Sequence, residues 1–174
     1  MRLFLSALGL SAMLASALPV SASELKSLPA FSLPDLEGKV HGPKEWVGKV
    51  VIVDFWATWC TGCRETIPVL QRLQDKYGKQ GLVVAGVSLD KGPKEKIAKF
   101  ARKLKMGYQI LWDAEDTQSK VFGFEGLPSV YVFGRDGALQ PDEIIRSVVG
   151  VSRLGRRRRV ADDSIGLPCD SRDV

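Results

Sequence analysis

Two cysteines separated by two residues carry the most evident chemistry in this chain. Cys60 and Cys63 stand in the run Trp56-Ala57-Thr58-Trp59-Cys60-Thr61-Gly62-Cys63-Arg64, after a β-branched stretch and at the opening of a helical pattern. A helix N-terminus carries partial positive charge and free N–H groups. A thiolate placed there is stabilised, and its pKa falls. The spacing sets the second cysteine one turn inside the helix, within reach of the first sulfur once that sulfur is held in a mixed disulfide. The first cysteine would attack and the second resolve. Other readings of the pair fit less well. A structural zinc site needs about four ligands, whereas the chain offers this pair and one histidine, His41. Haem attachment needs His after the second Cys, and Arg64 stands there. A disulfide closing so short a loop is a poor staple, because the gain grows with loop length. Two thiolates could also hold a soft ion such as copper(I), which would make a binding module.

Asp54 is the second candidate. It is an acid within Val50-Val51-Ile52-Val53-Asp54-Phe55, a run suited to a strand buried on both faces. Burial there would raise its carboxyl pKa toward neutrality. A strand-end carboxylate satisfied by water is the plainer alternative.

The elements that must position these groups follow from periodicity. Residues 50–55 and 82–89 read as strands, and 108–112 as a shorter one. Residues 61–77 read as a helix with Ile67, Leu70, Leu73 and Tyr77 on one face, kinked at Pro68. Residues 91–105 form an amphipathic helix with Ile97, Phe100, Ala101 and Leu104 on its apolar side. A short helix spans 114–122. Strands at 129–133 and 144–149 are joined by a turn around Asp136-Gly137. Ahead of these, residues 31–33 and a turn over 35–40 suggest a small hairpin. This order indicates an α/β sheet with helices on both faces.

Composition bounds the rest. The chain has 174 residues, which is one domain's worth. With 45% hydrophobic and 26% charged residues, disorder and collagen-like structure are excluded. Three cysteines are too few for a disulfide framework. The formal charge is +5, but residues 23–150 carry only +2, so nothing argues for nucleic-acid binding. Residues 1–22 read as a signal peptide: Met1-Arg2, an uncharged apolar stretch, Pro19, then small residues at Val20-Ser21-Ala22. An uncleaved membrane anchor is the alternative, although the apolar run is shorter than the ~20 residues of a span. Either way the domain is expected in the periplasm or otherwise secreted, where disulfides form. Residues 151–174, with six Arg and four Asp, have no apolar period and read as an atypical, disordered Arg-rich tail. Cys169 lies there and is not expected to be catalytic.

Residues 53–68 resemble the active site of the thioredoxin superfamily. More narrowly they resemble the secreted TlpA/ResA-like, redoxin-type thiol–disulfide oxidoreductases, with the pattern Trp-Cys-x-Pro-Cys-Arg-x-Glu-x-Pro. Residues 31–48 are similar to that group's N-terminal hairpin. Val87-Ser88-Leu89-Asp90, the next helix and Ile110-Leu111-Trp112-Asp113 are similar to its central β/α insertion. Gly126-Leu127-Pro128-Ser129 resembles its cis-proline strand. The likeness covers residues 29–150.

It implies a thioredoxin-like fold, with a mixed central sheet and helices on both faces. It makes Cys60 the exposed nucleophile, Cys63 the resolving thiol and Asp54 the proton partner of Cys63. Pro128 would be a cis-proline facing the pair, Leu127 would pair with a partner's backbone, and Trp59 would flank the nucleophile. The implied activity is reduction of protein disulfides, in cytochrome c maturation or at copper-site cysteines. A membrane thiol protein would supply electrons, and neither metal nor organic cofactor is needed. A peroxide-reducing redoxin is the alternative enzyme, but the Pro-x-x-x-Thr-x-x-Cys arrangement is missing around Cys60. Three departures stand out. Gly62 replaces the usual proline. Residues 82–90 lack the lysine that thioredoxin sets near the buried Asp. The tail cannot form the family's last amphipathic helix, so an exposed apolar sheet face and lowered stability are expected.

Overall fold

The computed structural model describes residues 25–141 together with Glu143, Ile144 and Ser147. The expected signal peptide at 1–22, the tail at 151–174 and Cys169 lie outside the described residues. Strand β3 (Val50–Trp56) is the spine of the fold. It pairs in parallel with β4 (Leu82–Ser88), which pairs in parallel with β5 (Gln109–Trp112). On its other side β3 pairs antiparallel with β6 (Ser129–Phe133), giving the sheet order β5-β4-β3-β6. An interior strand has neighbours on both edges and layers on both faces, which is why its sequence is apolar almost throughout. Ahead of it, β1 (Leu33–Pro34) and β2 (Val40–His41) form the small hairpin.

Alternate residues of β3 feed two cores. Ile52 and Trp56 face α1 (Cys63–Tyr77) and α2 (Lys94–Lys103), packing with Ile67, Leu70 and Ile97. Val51, Val53 and Phe55 face the other way. There α3 (Gln118–Phe122), Trp46 and the N-terminal segment with Leu25, Leu28 and Phe31 cover the sheet. That segment is tied in by Leu28 N–H donating to the Gly137 carbonyl at 2.9 Å and Leu139 N–H to the Lys26 carbonyl at 2.9 Å.

Several expectations are corrected. The strand expected at 144–149 is overturned at its two described residues: Ile144 and Ser147 are helical, as is Glu143, and the other residues of 145–150 lie outside the described set. The Asp136-Gly137 turn does form, and the returning chain is held by bridges of Leu139 to Phe133 and of Ala138 to Ser27, with Gln140 N–H donating to the Val132 carbonyl at 2.8 Å. Ile144 N–H then bonds the Pro141 carbonyl, a helical turn that begins at the proline. The expected bare sheet face is absent among the described residues. Val130 and Val132 on one face, and Tyr131 and Phe133 on the other, are all buried. Aromatic side chains from α3 and the N-terminal segment fill the second face. On α1 the buried stripe is Cys63, Thr66, Ile67 and Leu70, and Tyr77 is exposed. Ten residues beyond Ile67, at 100° each, land about 80° off the stripe. The helix is continuous through Pro68.

Candidate active site

The turn between β3 and α1 is held from outside itself. Asp90, just past the end of β4, is buried and accepts from Thr58 twice. The Thr58 N–H donates to Oδ2 at 2.8 Å and the Thr58 hydroxyl to Oδ1 at 2.6 Å. The Ser88 hydroxyl donates to Asp90 Oδ2 at 3.0 Å, and Trp112 Nε1–H donates to the Asp90 carbonyl at 2.8 Å. Hydrogen bonds to a charged acceptor are stronger than neutral ones, so this carboxylate fixes where the turn begins. Arg64 closes the other side. Its guanidinium lies 5.7 Å from the Phe100 ring centroid and donates to the Thr58 carbonyl at 3.4 Å. Asp90 and Arg64 were not singled out as site residues from sequence. A lone acid directly after a buried strand was the available signal for Asp90.

Cys60 and Cys63 are joined by a disulfide, with their Cα atoms 5.4 Å apart. The Cys63 backbone N–H, at the first turn of α1, points at Cys60 Sγ at 3.1 Å. No side chain caps this helix start. The cysteine sulfur therefore takes one of the free N–H groups that every helix N-terminus presents. Both cysteines are buried, Cys60 at 6% and Cys63 at 0% exposed, so the nucleophile expected to be exposed is instead the less covered of two buried residues. Trp59 stands beside them at 66% exposed, a large apolar surface turned outward. The Leu127–Pro128 peptide is cis. Pro128 packs on the pair's own loop, since a Cβ on Gly62 would meet Pro128 Cδ at 3.1 Å. Leu127 is partly buried between the two cores. The structure thus brings Cys60, Cys63, Gly62 and Pro128 together, with Trp59 on the rim.

Asp54 lies between Ile52 and Trp56 on the α1-facing side of β3, the side where Cys63 is buried. It is 0% exposed, and burial raises its pKa to about 7. Neither carboxyl oxygen has a hydrogen-bond partner. The alternative of a strand-end acid satisfied at the surface is therefore not what the fold shows. His41, the single histidine, is occupied elsewhere. Its Nε2 meets Asp35 Oδ2 at 3.0 Å and its Nδ1 meets Glu45 Oε2 at 2.9 Å, a clasp on the hairpin. Cys60 and Cys63 are the soft donors of the site, and in the disulfide neither is free to ligate. Among the described residues no three His, Cys, Asp or Glu side chains gather into a metal-sized group, and no helix is long and apolar enough to cross a membrane.

The family model described as AhpC/TSA matches residues 25–141. The chain is 32% identical over 112 residues to the thiol-disulfide oxidoreductase ResA of Geobacillus thermodenitrificans, an alignment covering 64% of each chain. It therefore spans slightly less than two thirds of that relative. It is 31% identical over 123 residues to the thioredoxin-like protein YneN of Bacillus subtilis, covering 70% of this chain and 71% of that one. Among solved structures it superposes on a Chlorobium tepidum chain assigned as a thiol:disulfide interchange protein DsbE. The TM-score is 0.64 at 27% identity, over 73% of this chain and 96% of that one.

Proposed function

The chain belongs to the AhpC/TSA family and has the thioredoxin-like fold of its structural neighbours, and we propose that it is an extracytoplasmic thiol–disulfide oxidoreductase that reduces protein disulfides. In the reduced protein the Cys60 thiolate attacks one sulfur of a substrate disulfide. The substrate S–S bond breaks, a Cys60–substrate disulfide forms, and one substrate thiolate leaves. Cys63 then gives its proton to the Asp54 carboxylate and attacks Cys60 Sγ. The second substrate thiolate leaves, and the Cys60–Cys63 disulfide remains. Two electrons have passed to the substrate, and a membrane-held dithiol protein returns them. Trp59, Leu127 and cis-Pro128 form the surface on which the substrate chain lies. Cysteines of apocytochrome c or of copper sites are the substrate class, and the signal-like pattern of residues 1–22 supports the compartment.

One observation carries the reading. The helix N-terminal N–H of Cys63 is aimed at Cys60 Sγ, in a pair of which Cys60 is the less buried member. A group at that position favours the thiolate, and a thiolate nearer the surface beside a fully buried thiol divides the two steps between them. The test is trapping with a disulfide-bonded protein substrate. Cys63→Ser should accumulate a mixed disulfide through Cys60, whereas Cys60→Ser should accumulate none and lose turnover. Equilibration of the wild-type chain with dithiothreitol should show one reversible two-electron couple. Trapping through Cys63 in place of Cys60, or no reversible couple, would overturn the assignment.

A further inference from the structure

Asp54 is not alone in lacking a partner. The Trp56 Nε1–H and the Tyr108 hydroxyl are also buried with no hydrogen bond. These groups converge on one spot. Asp54 lies directly across from Gly86 in the β3–β4 register, and neighbouring strands are about 4.8 Å apart. Trp56, two residues along, is on the same face of β3. A Cβ on Gly86 would meet Trp56 Nε1 at 2.9 Å and Tyr108 Cε2 at 2.9 Å. The glycine is thus the reason an indole N–H and a phenol ring can lie over β4 next to the acid. The groups do not bond one another, yet a buried donor or acceptor left without a partner carries its full desolvation cost. A water with two to four polar partners is the usual solution.

We propose that Tyr108 is a positioning residue for the Asp54 proton: with Trp56 Nε1–H, its hydroxyl holds an ordered water over Gly86 that hydrogen-bonds the Asp54 carboxyl. Both side chains are donors, so the water they orient donates to the carboxylate and favours its charged form. The tyrosine thereby offsets part of what burial does to Asp54. It keeps the acid able to take the Cys63 proton at neutral pH and to release it again. The charge of Asp54 is felt at Tyr108, whose pKa is pushed well above its ordinary value first by burial and then by that carboxylate. The other sides of Asp54 are quiet. β6 presents Val130 across from it, β3 presents Ile52, and α1 presents Cys63, which titrates only when reduced.

The role in proton transfer rests on the disulfide-exchange reading, but the test does not. The Asp54 carboxyl carbon is followed by NMR against pH in the oxidised full chain, where no exchange occurs. Tyr108→Phe, which keeps the ring, should move the midpoint upward from near 7 by about one pH unit, the scale of losing a hydrogen bond to the charged form. A water-to-indole cross-peak at the Trp56 Nε1–H should be present in the wild type and lost in Gly86→Ala. An unmoved or lowered midpoint in Tyr108→Phe, or no long-lived water at Trp56, overturns the proposal. A purely structural tyrosine would lower the melting temperature and leave the midpoint where it was. If the exchange reading alone were wrong, turnover would be absent while the midpoint still moved.

Discussion

The two faces of strand β3 are built to different standards. On one face Phe55 meets Phe122 edge-on, with centroids 4.8 Å apart, and lies 4.5 Å from Phe124. The buried tyrosine there, Tyr131, donates its hydroxyl to the Phe122 carbonyl at 2.8 Å. Those rings and that hydroxyl favour a single packed arrangement, although Gln118 Oε1 of α3 is also without a partner at the margin of that side. On the other face sit Asp54, Trp56 and Tyr108, equally buried, with four polar atoms that have no partner. Residues one apart on the same strand thus see an apolar, satisfied core and a polar, unsatisfied one. A protein keeps unsatisfied buried groups at a cost in stability, and they collect where a proton or ligand must be handled. One face holds the sheet together, and the other holds the acid on the side where Cys63 is buried.

The largest test of this contrast is on the satisfied side. Phe55→Ala removes a ring from the centre of the aromatic cluster and should cost roughly 3–5 kcal/mol, read as a lowered denaturant midpoint. The oxidised protein that remains folded should keep the Asp54 titration near 7. A large change in that titration would mean the two faces are coupled, and the comparison would fail.

Asp54→Asn probes the other face and should have the opposite sign. Unfolded, this carboxyl titrates near 3.8; folded, burial lifts it to about 7. Between those values the folded state binds more protons, so wild-type stability falls as pH rises and then levels off above 7. The variant is spared that loss. It should match the wild type near pH 4 and be more stable by up to roughly 4 kcal/mol at pH 8. Its disulfide exchange near neutral pH should be slowed at the resolving step. Guanidinium unfolding at both pH values checks the first statement. A difference between the two proteins that does not vary with pH would break it.

The smallest effect separates a second pH window. His41 is held in the charged form by its hydrogen bond to Glu45, against burial, with Asp35 adding to it, so its pKa is raised from 6.5. A raised histidine stabilises the fold fully below 6.5, and that contribution is lost as pH rises through the higher folded value. His41→Gln should therefore lower the melting temperature at pH 6 by an amount worth roughly 1 kcal/mol. The difference should shrink at alkaline pH. It should leave the Asp54 window between 3.8 and about 7 intact, because the hairpin clasp and the buried acid lie on different elements.

Much of this was legible in the residues because it is local. An uninterrupted β-branched run has to be an interior strand, and a cysteine pair directly after it has to open the following helix. A lone Asp in such a run announces its own burial. Features made by distant parts of the chain were not legible. Thr58 and Asp90 are 32 residues apart, and no spacing rule pairs them. Tyr108 read as the start of a short strand, because alternation says which face a residue takes but not what lies over it. The covering of the sheet was not legible for the same reason. The lack of a final amphipathic helix suggested bare apolar surface, whereas Phe31, Trp46 and the pair Phe122 and Phe124 arrive from three separate places to fill one face.

By itself the sequence determined the chemistry and its local frame: two thiols one turn apart at a helix start, an acid inside a strand, a proline before another strand. These depend on backbone periodicity and helix-end electrostatics, which act over a few residues. The tertiary structure alone decided which cysteine lies nearer the surface and that Pro128 lies against Gly62. It also decided that Trp56 and Tyr108 close over Gly86 beside Asp54. Exposure, pKa and hydrogen-bond satisfaction depend on what other segments remove from water, and that is settled only when the sheet is assembled.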